Sequence, residues 1–432
     1  MDPHLMTATA GNAPPGTAAE RLAPLPHDAV ELKRKLRRAE LRQRLRAYGL
    51  ILPLFVFTLL TFLVPIGLML FNSVDDPVVA DALPRSAALL RALPADRVVP
   101  DEPLFAALAA DMKASVQAQT ASKVASRINY EESGLRTLFM KTTRRLGTVE
   151  QGPWKDAFLA IDPAWGEPKI WSVLRQTSHR YTADYYLHAG DLDRDDRGQI
   201  VREVPDSRLY VDVFGRTLWV SLLVTLLCLA IGYPLSFWLS HLPAKTANLM
   251  MVLVLLPFWT SLLVRTTAWI VLLQKEGVVN SLLMATGLIN EPLVLIFNRF
   301  GVVIAMTHIL LPFMILPLVS VMRQIPPSYV RAARSLGASP LTAFMRVYLP
   351  QSVAGISAGV LLVFILSIGY YITPALVGGA GDQMMSYFIA DHLTRSLNWG
   401  LASALGGLLL AGVLLLYAIY ERYVGIANVR LG

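Results

Sequence analysis

Cysteine is nearly absent: the 432 residues hold one, Cys228. That excludes an internal disulfide and any metal cluster built on thiolates. Charge is scarce too. Asp, Glu, Lys and Arg make up 16% of the chain and hydrophobic residues 54%, with a mean hydropathy of +0.48. Such a composition belongs to an all-α polytopic membrane protein and not to a soluble enzyme. The phosphate-binding G-x-x-x-x-G-K-S/T loop is missing, and so are G-x-S-x-G, H-E-x-x-H and the Cys/His spacings of metal centres. The chain is therefore expected to hold no catalytic centre, no metal and no cofactor of its own. No repeat of 20–50 residues is visible.

What charge there is has a pattern. The formal net charge is +8, but the basic residues gather beside apolar runs, where they set membrane orientation, so nucleic acid is not an expected partner. Residues 1–30 are rich in Ala, Pro and Gly and read as disordered. Residues 31–46 carry Lys33, Arg34, Lys35, Arg37, Arg38, Arg42, Arg44 and Arg46 among leucines at helical spacing. This is the pattern of a basic amphipathic helix on the lipid surface. With about 48 residues ahead of the first apolar run, the start is not a signal peptide.

Residues 1–48 thus form an inner tail, and 49–71 the first span. Residues 72–208 are a long polar insertion, placed outside by the basic run before the first span. It contains a helical patch over 104–125 and is large enough for a folded module or a partly ordered cap. Its Asp191-x-Asp193-x-Asp195 run is like the start of an EF-hand loop, but Asp196 stands at the turn-glycine position and Arg202 at the twelfth, so a solvated acidic turn is expected. Five more spans follow in 209–432: 213–239, 249–273, 301–322, 353–377 and 399–420. The count is six, with both termini inside.

Between the fourth and fifth spans lies a polar stretch, 325–351, with Arg331, Arg334 and Arg346 and no acid. Pro326 and Pro327 end the preceding helix, and Ser328 is a candidate cap for a short one. Gly337 can take the left-handed conformation that ends it. Ser339-Pro340 then opens a second helix that Pro350 should break. Small residues at Ala332, Ala333 and Gly337 would let this elbow sit deep in a groove on a partner. An amphipathic loop on lipid headgroups is the plainer alternative. The spacing Arg331-Ala332-Ala333, three residues, Gly337, nine residues, Val347-Tyr348-Leu349-Pro350 resembles the EAA loop of binding-protein-dependent ABC transporter permeases, with Arg331 where that family usually has Glu. The resemblance implies that Ser328, Arg331, Ala332, Ala333, Gly337, Val347, Leu349 and Pro350 form a coupling loop docking on a cytoplasmic ATPase, which itself binds ATP and Mg. It further implies a second permease subunit (a homologue or a second copy), a periplasmic solute-binding protein, and a bacterial inner-membrane location.

Within the spans, Arg265 is costly in hydrocarbon unless it faces a cavity or partner, or snorkels to the surface. Trp259 and Trp269 are candidate interfacial anchors, and His308 reads as a packed histidine. Tyr370, Tyr371 and Thr373, beside Pro374, either line a broken helix or pack ordinarily. Arg265, Trp259, Trp269, Tyr370 and Tyr371 are the candidate pathway residues. Residues 256–283 and 370–390 resemble the spermidine/putrescine-type branch of the same permeases, so that the likeness covers about half the chain, from 212 onward. It implies a polyamine or related organic solute, although a polycation favours carboxylates and aromatic faces and Arg265 suits an anion. Glu276, Asp382 and Asp391 lie near the expected outer mouth. The competing expectation is a membrane sensor or a self-contained secondary carrier. An inner tail of about a dozen residues and spans without ion-coupling carboxylates weigh against these.

Overall fold

The computed structural model describes residues 40–41, 43–44, 48–93, 100–149, 152–195, 198–205 and 208–424. The expected disorder of 1–30, most of the basic helix at 31–46 and the tail beyond 424 lie outside them. The chain divides into two units, Met1–Leu68 and Met69–Gly432. In the first, apolar side chains point outward along helix α1, Tyr48–Asn72, which continues into the second unit. A π-helical turn, Leu59–Leu63, sits just before Pro65. The wider turn gives the ring room against the carbonyl four residues back.

The second unit starts with eight short helices: α2 Pro77–Ala82, α3 Pro84–Ala92, α4 Glu102–Gln117, α5 Ala121–Glu131, α6 Leu135–Leu146, α7 Trp154–Ile161, α8 Pro168–Thr177 and α9 Asp184–Ala189. The helical patch expected over 104–125 is two helices, because the chain turns at Gln119, whose φ is +55°. Phe105, Phe158, Trp165 and Trp171 meet mostly edge-on, with centroids 4.8–5.7 Å apart, at the centre of this module. Both indoles find acceptors, Trp165 Nε1 on Thr142 Oγ1 at 2.8 Å and Trp171 Nε1 on the Trp165 carbonyl at 2.9 Å, as burial of an N–H requires. A stem closes the module: Asp75 bridges to Tyr181, Asp76 N–H donates to the Arg180 carbonyl, and Thr182 N–H donates to the Val74 carbonyl.

Helix starts leave N–H groups unpaired, and here distant carboxylates take them. Buried Asp111 accepts from Ser86 N and Oγ at the start of α3. Glu102 accepts from Trp154 N and Lys155 N at the start of α7. The hairpin of β1 Leu192–Arg194 and β2 Ile200–Arg202 brings Asp191 to the start of the next helix, α10, Tyr210–His241. There its carboxylate accepts from Leu209 N and Tyr210 N through Oδ1, and from Val211 N through Oδ2, at 2.9–3.0 Å. The acidic run is therefore not a solvated turn at its first position. Asp191 is buried, and Asp195 shapes the hairpin by accepting from Gln199 N.

The remaining helices are α11 Ala244–Leu255, α12 Leu262–Leu273, α13 Val278–Ala285, α14 Arg299–Met322, α15 Pro327–Ser335, α16 Pro340–Ile368, α17 Ile372–Val377, α18 Met385–Thr394 and α19 Trp399–Val424. Helices α10, α14 and α16 pack around Val224, Cys228, Met306, Leu310, Met314 and Val363. The close crossing of α14 on α16 uses Gly355 and Gly359, a G-x-x-x-G pair. A Cβ on Gly359 would lie 2.7 Å from Met314 Sδ, and one on Gly355 3.2 Å from Leu318 Cα.

Among the described residues, five helices can cross a membrane by length and composition, or six if one bent pair counts as a single span. That pair replaces the continuous span expected over 249–273. Pro257 interrupts the helix at a 3₁₀ turn, Leu256–Trp259, Ser261 caps the restart by accepting from Val264 N, and the axis turns by 96°. The span expected over 353–377 starts at Pro340 and stops at Ile368, and α17 resumes after a break at 369–371. Pro350 does not break this helix. The π turn Phe344–Tyr348 precedes it, with Leu349 N–H bonded to the Phe344 carbonyl, and the widened turn admits the ring.

Candidate functional site

Two places gather the candidate residues. The first is the elbow formed by α15, the bend 336–339 and the start of α16. Its bend is a Schellman motif: Ala338 N–H donates to the Ala333 carbonyl and Gly337 N–H to the Arg334 carbonyl, with Gly337 at φ +91°. Ala333 thus contributes its backbone carbonyl to the bend. Ser339 Oγ accepts from Thr342 N at 3.2 Å, and Pro340 takes the first helical position. Ser328 does not cap α15. The helix begins one residue earlier, at Pro327, with Pro326 at the cap position and no side-chain bond.

The elbow has two faces. Arg331, Arg334, Arg346, Ser328, Ala332 and Pro350 are exposed, together with apolar Tyr329, Leu336, Leu341 and Met345, of which Leu336 is 89% exposed. On the other face, Val330, Phe344 and buried Tyr348 pack into the helical core. Val347 and Leu349 are half-buried between the two. An aromatic group ties that inner face to α10: Phe237 lies 5.0 Å from Tyr348 and 5.7 Å from Phe344, and Tyr233 lies 6.2 Å from Phe344. Tyr233 Oη also bonds Ser352 Oγ at 2.9 Å. The sequence reading missed Tyr233 and Phe237, although the pairs 233/237 and 344/348 both stand four apart, the spacing that puts two rings on one helix face.

The second place lies where α12, α14 and α17 meet. Trp269 Nε1 donates to His308 Nδ1 at 3.2 Å, with the rings edge-on at 5.4 Å. Thr266 Oγ1 and Thr373 Oγ1 are 3.2 Å apart. Arg265 lies within electrostatic reach of His308 and Tyr370, and its Nε is enclosed without a hydrogen-bond partner among the described residues. Arg265, Trp269, His308, Tyr370 and Thr373 therefore share one neighbourhood. Trp259 does not join them: it is 87% exposed at the Pro257 break. Tyr371, the last residue of the 369–371 break, is exposed.

Near the start of α10 is a third polar group. Buried Arg127 bonds Asp76 through Nε and Glu131 through an Nη at 2.5 Å, and stacks over the Tyr185 ring. His188 bonds Glu131 through Nε2 and Glu203 through Nδ1, both at 2.9 Å. Burial disfavours charge on His188, but the hydrogen bonds to Glu131 and Glu203 and the charge of Glu131 prevail and raise it to about 9. Glu131, despite its burial, is held down to about 2 by the His188 hydrogen bond and the Arg127 charge.

Comparison with known proteins adds to this geometry. The family described as binding-protein-dependent transport system inner membrane component matches residues 218–425. The spermidine/putrescine transport system permease protein PotB of Haemophilus influenzae is 37% identical over 214 residues, covering 49% of this chain and 75% of the relative. Its namesake from Escherichia coli is 35% identical over 216 residues, covering 50% and 78%. A crystal structure of a bacterial ABC transporter involved in the import of the acidic polysaccharide alginate aligns with a TM-score of 0.40 at 19% identity, covering 49% of this chain and 80% of that one.

Proposed function

The chain belongs to the binding-protein-dependent transport system inner membrane components, and from that premise we propose that it is the permease subunit of an ABC importer whose stroke is received at the elbow. The observation that carries the reading is the two-faced elbow, with a rigid backbone bend, outward apolar and cationic side chains, and an aromatic anchor to α10. A partner gripping Leu336 and Leu341 moves α15, and the Phe237–Tyr348 contact passes that motion to the transmembrane bundle. Arg323, Arg331, Arg334 and Arg346 put the elbow on the cytoplasmic side by the positive-inside rule. That orientation places both termini inside and the 72–208 insertion in the periplasm, and makes the bent α11–α12 pair one of six spans. Separate ATPase subunits bind ATP and Mg, a second permease (a homologue or another copy) completes the pathway, and a periplasmic binding protein delivers the solute. Alternating access then requires that ATP and loaded binding protein favour the outward state over the inward one.

For substrate we infer a polyamine or related organic solute, on the strength of the two permease relatives. Of the outer acids, Asp382 pairs with Arg299 at 3.2 Å and Asp391 with Arg395 at 3.3 Å. Both are thereby less available to guide a polycation, which leaves recognition chiefly to the binding protein.

The test is copurification in mild detergent, then uptake. Recovery of an ATPase and a second permease, with ATP-dependent uptake of labelled spermidine or putrescine, supports the whole reading. Recovery of the chain alone, with no nucleotide hydrolysis, removes it. Uptake of neither polyamine by an active complex removes the substrate class alone. Arg265→Ala is expected to change the KM or kcat of uptake several-fold while the ATPase still copurifies. Unchanged kinetics would return Arg265 to a surface-reaching role.

A further inference from the structure

The group at the α5–α9–β1 junction has an excess of acid. Asp76, Glu131, Asp193 and Glu203 stand against Arg127 and His188, with the Arg208 guanidinium at the Glu203 carbonyl. Glu131 and Glu203 are 6% and 15% exposed, so little water is at hand to disperse the charge. One donor atom from each of Glu131, His188 and Asp193 lies within 4.8 Å of the other two. We propose that these three residues bind a divalent transition-metal cation of the zinc class, with Glu203 orienting the ring.

The donor set fits such an ion. Imidazole with carboxylate oxygens suits zinc and its neighbours. Metal–ligand bonds of about 2.0–2.2 Å in tetrahedral array put donors about 3.3–3.6 Å apart. The His188 Nε2 to Glu131 Oε2 separation is 2.9 Å, so a shift of a few tenths of an ångström admits an ion there. Asp193 Oδ1 otherwise accepts from the adjacent Arg194 N–H, and rotation about a single side-chain bond turns a carboxylate oxygen inward. The imidazolium gives up its Nε2 proton to solvent as the metal takes that place, and the ring is left neutral with Nδ1–H donated to Glu203 at 2.9 Å. That second carboxylate fixes tautomer and ring plane, an arrangement common to metal-bound histidines. Glu131 keeps its bond from Arg127 through the other oxygen, so the buried guanidinium is not stranded.

The three donors come from the end of α5, from α9 and from β1, next to the Asp191 cap of α10. An ion there would clamp the helical module to the hairpin that holds the membrane helix. With three protein ligands the role we assign is that of a clamp between these elements.

The experiment uses the full-length, untagged protein in detergent, stripped with chelator and dialysed against buffered Zn²⁺. We expect one Zn²⁺ per chain in the wild type, and at least about tenfold weaker binding in both His188→Gln and Asp193→Asn. Glu203→Gln should weaken binding by about tenfold, as for other groups that orient a metal-bound histidine. Asp193→Asn stays clear of the Arg127 bonds, and an unchanged melting temperature in chelator certifies its fold. Zn²⁺ should also raise the melting temperature of the wild type and leave that of Asp193→Asn unmoved. A wild type that binds no more Zn²⁺ than the two ligand variants, or variants that keep full affinity, would overturn the site.

Discussion

Arg127→Ala is expected to destabilise the 77–179 module by about 3–5 kcal/mol, the usual cost of removing one partner from a buried ion pair. The side chain is 4% exposed and serves Asp76 and Glu131 together, with the Tyr185 ring against its face. Its removal strands Asp76, which is 3% exposed and left with the Tyr185 hydroxyl, whereas Glu131 retains His188. The asymmetry makes a control. Arg127→Met restores the packing volume but still strands the charge, while Arg127→Met with Asp76→Asn leaves none unpaired and should recover a good part of the loss. Hydrogen exchange in α5 and α9, with thermal melting of the whole protein, reads both results. A single Arg127→Ala variant that melts with wild type would mean that water already screens the pair.

Gly337→Pro is expected to abolish uptake in a protein that is still inserted in the membrane. Its φ of +91° is out of reach for proline, which is locked near −65°, and the N–H bonded to the Arg334 carbonyl is lost. No atom lies within 4 Å of a Cβ built there, so bulk is not at issue and the cost is one of backbone. Substitutions should therefore grade by tolerance of the left-handed region. Gly337→Asn should be mild, Gly337→Ala should cost about 1–2 kcal/mol of local bend stability, and Gly337→Pro should be null. Uptake and ATPase copurification should fall together along that series. Equal defects in all three would point to side-chain collision with the partner instead of loss of the bend.

The bend is legible in the sequence because each bond that makes it spans five residues or fewer: Ala338 to Ala333, Gly337 to Arg334, Thr342 to Ser339. The long helices are legible from their apolar runs. Proline is a poorer guide. Pro234, Pro312 and Pro317 stay inside helices, Pro350 is absorbed by a π turn, and Pro257 alone among these gives a sharp break. Pro257 differs in having Ser261 four residues on, a side chain that caps a new helix once the first has stopped. The Asp191 cap and the His188 group are a different matter. Asp191 reaches residues 18–20 positions on, and His188 meets a carboxylate 57 positions back. No local periodicity encodes such pairs. They depend on which distant segments the fold brings together.

That stem has a consequence for how such a protein can change. Because 74–76 and 180–182 are already joined backbone to backbone, the hundred or so residues between them hang from a closed loop. The entropy of loop closure rises only with the logarithm of length, about 0.6 kcal/mol per doubling. A short turn on the same stem would be nearly as easy to close. The chain between the two sides of the stem can thus vary in length at little entropic cost, on the condition that a partner for buried Asp76 is kept, since Arg127 supplies it from within the module.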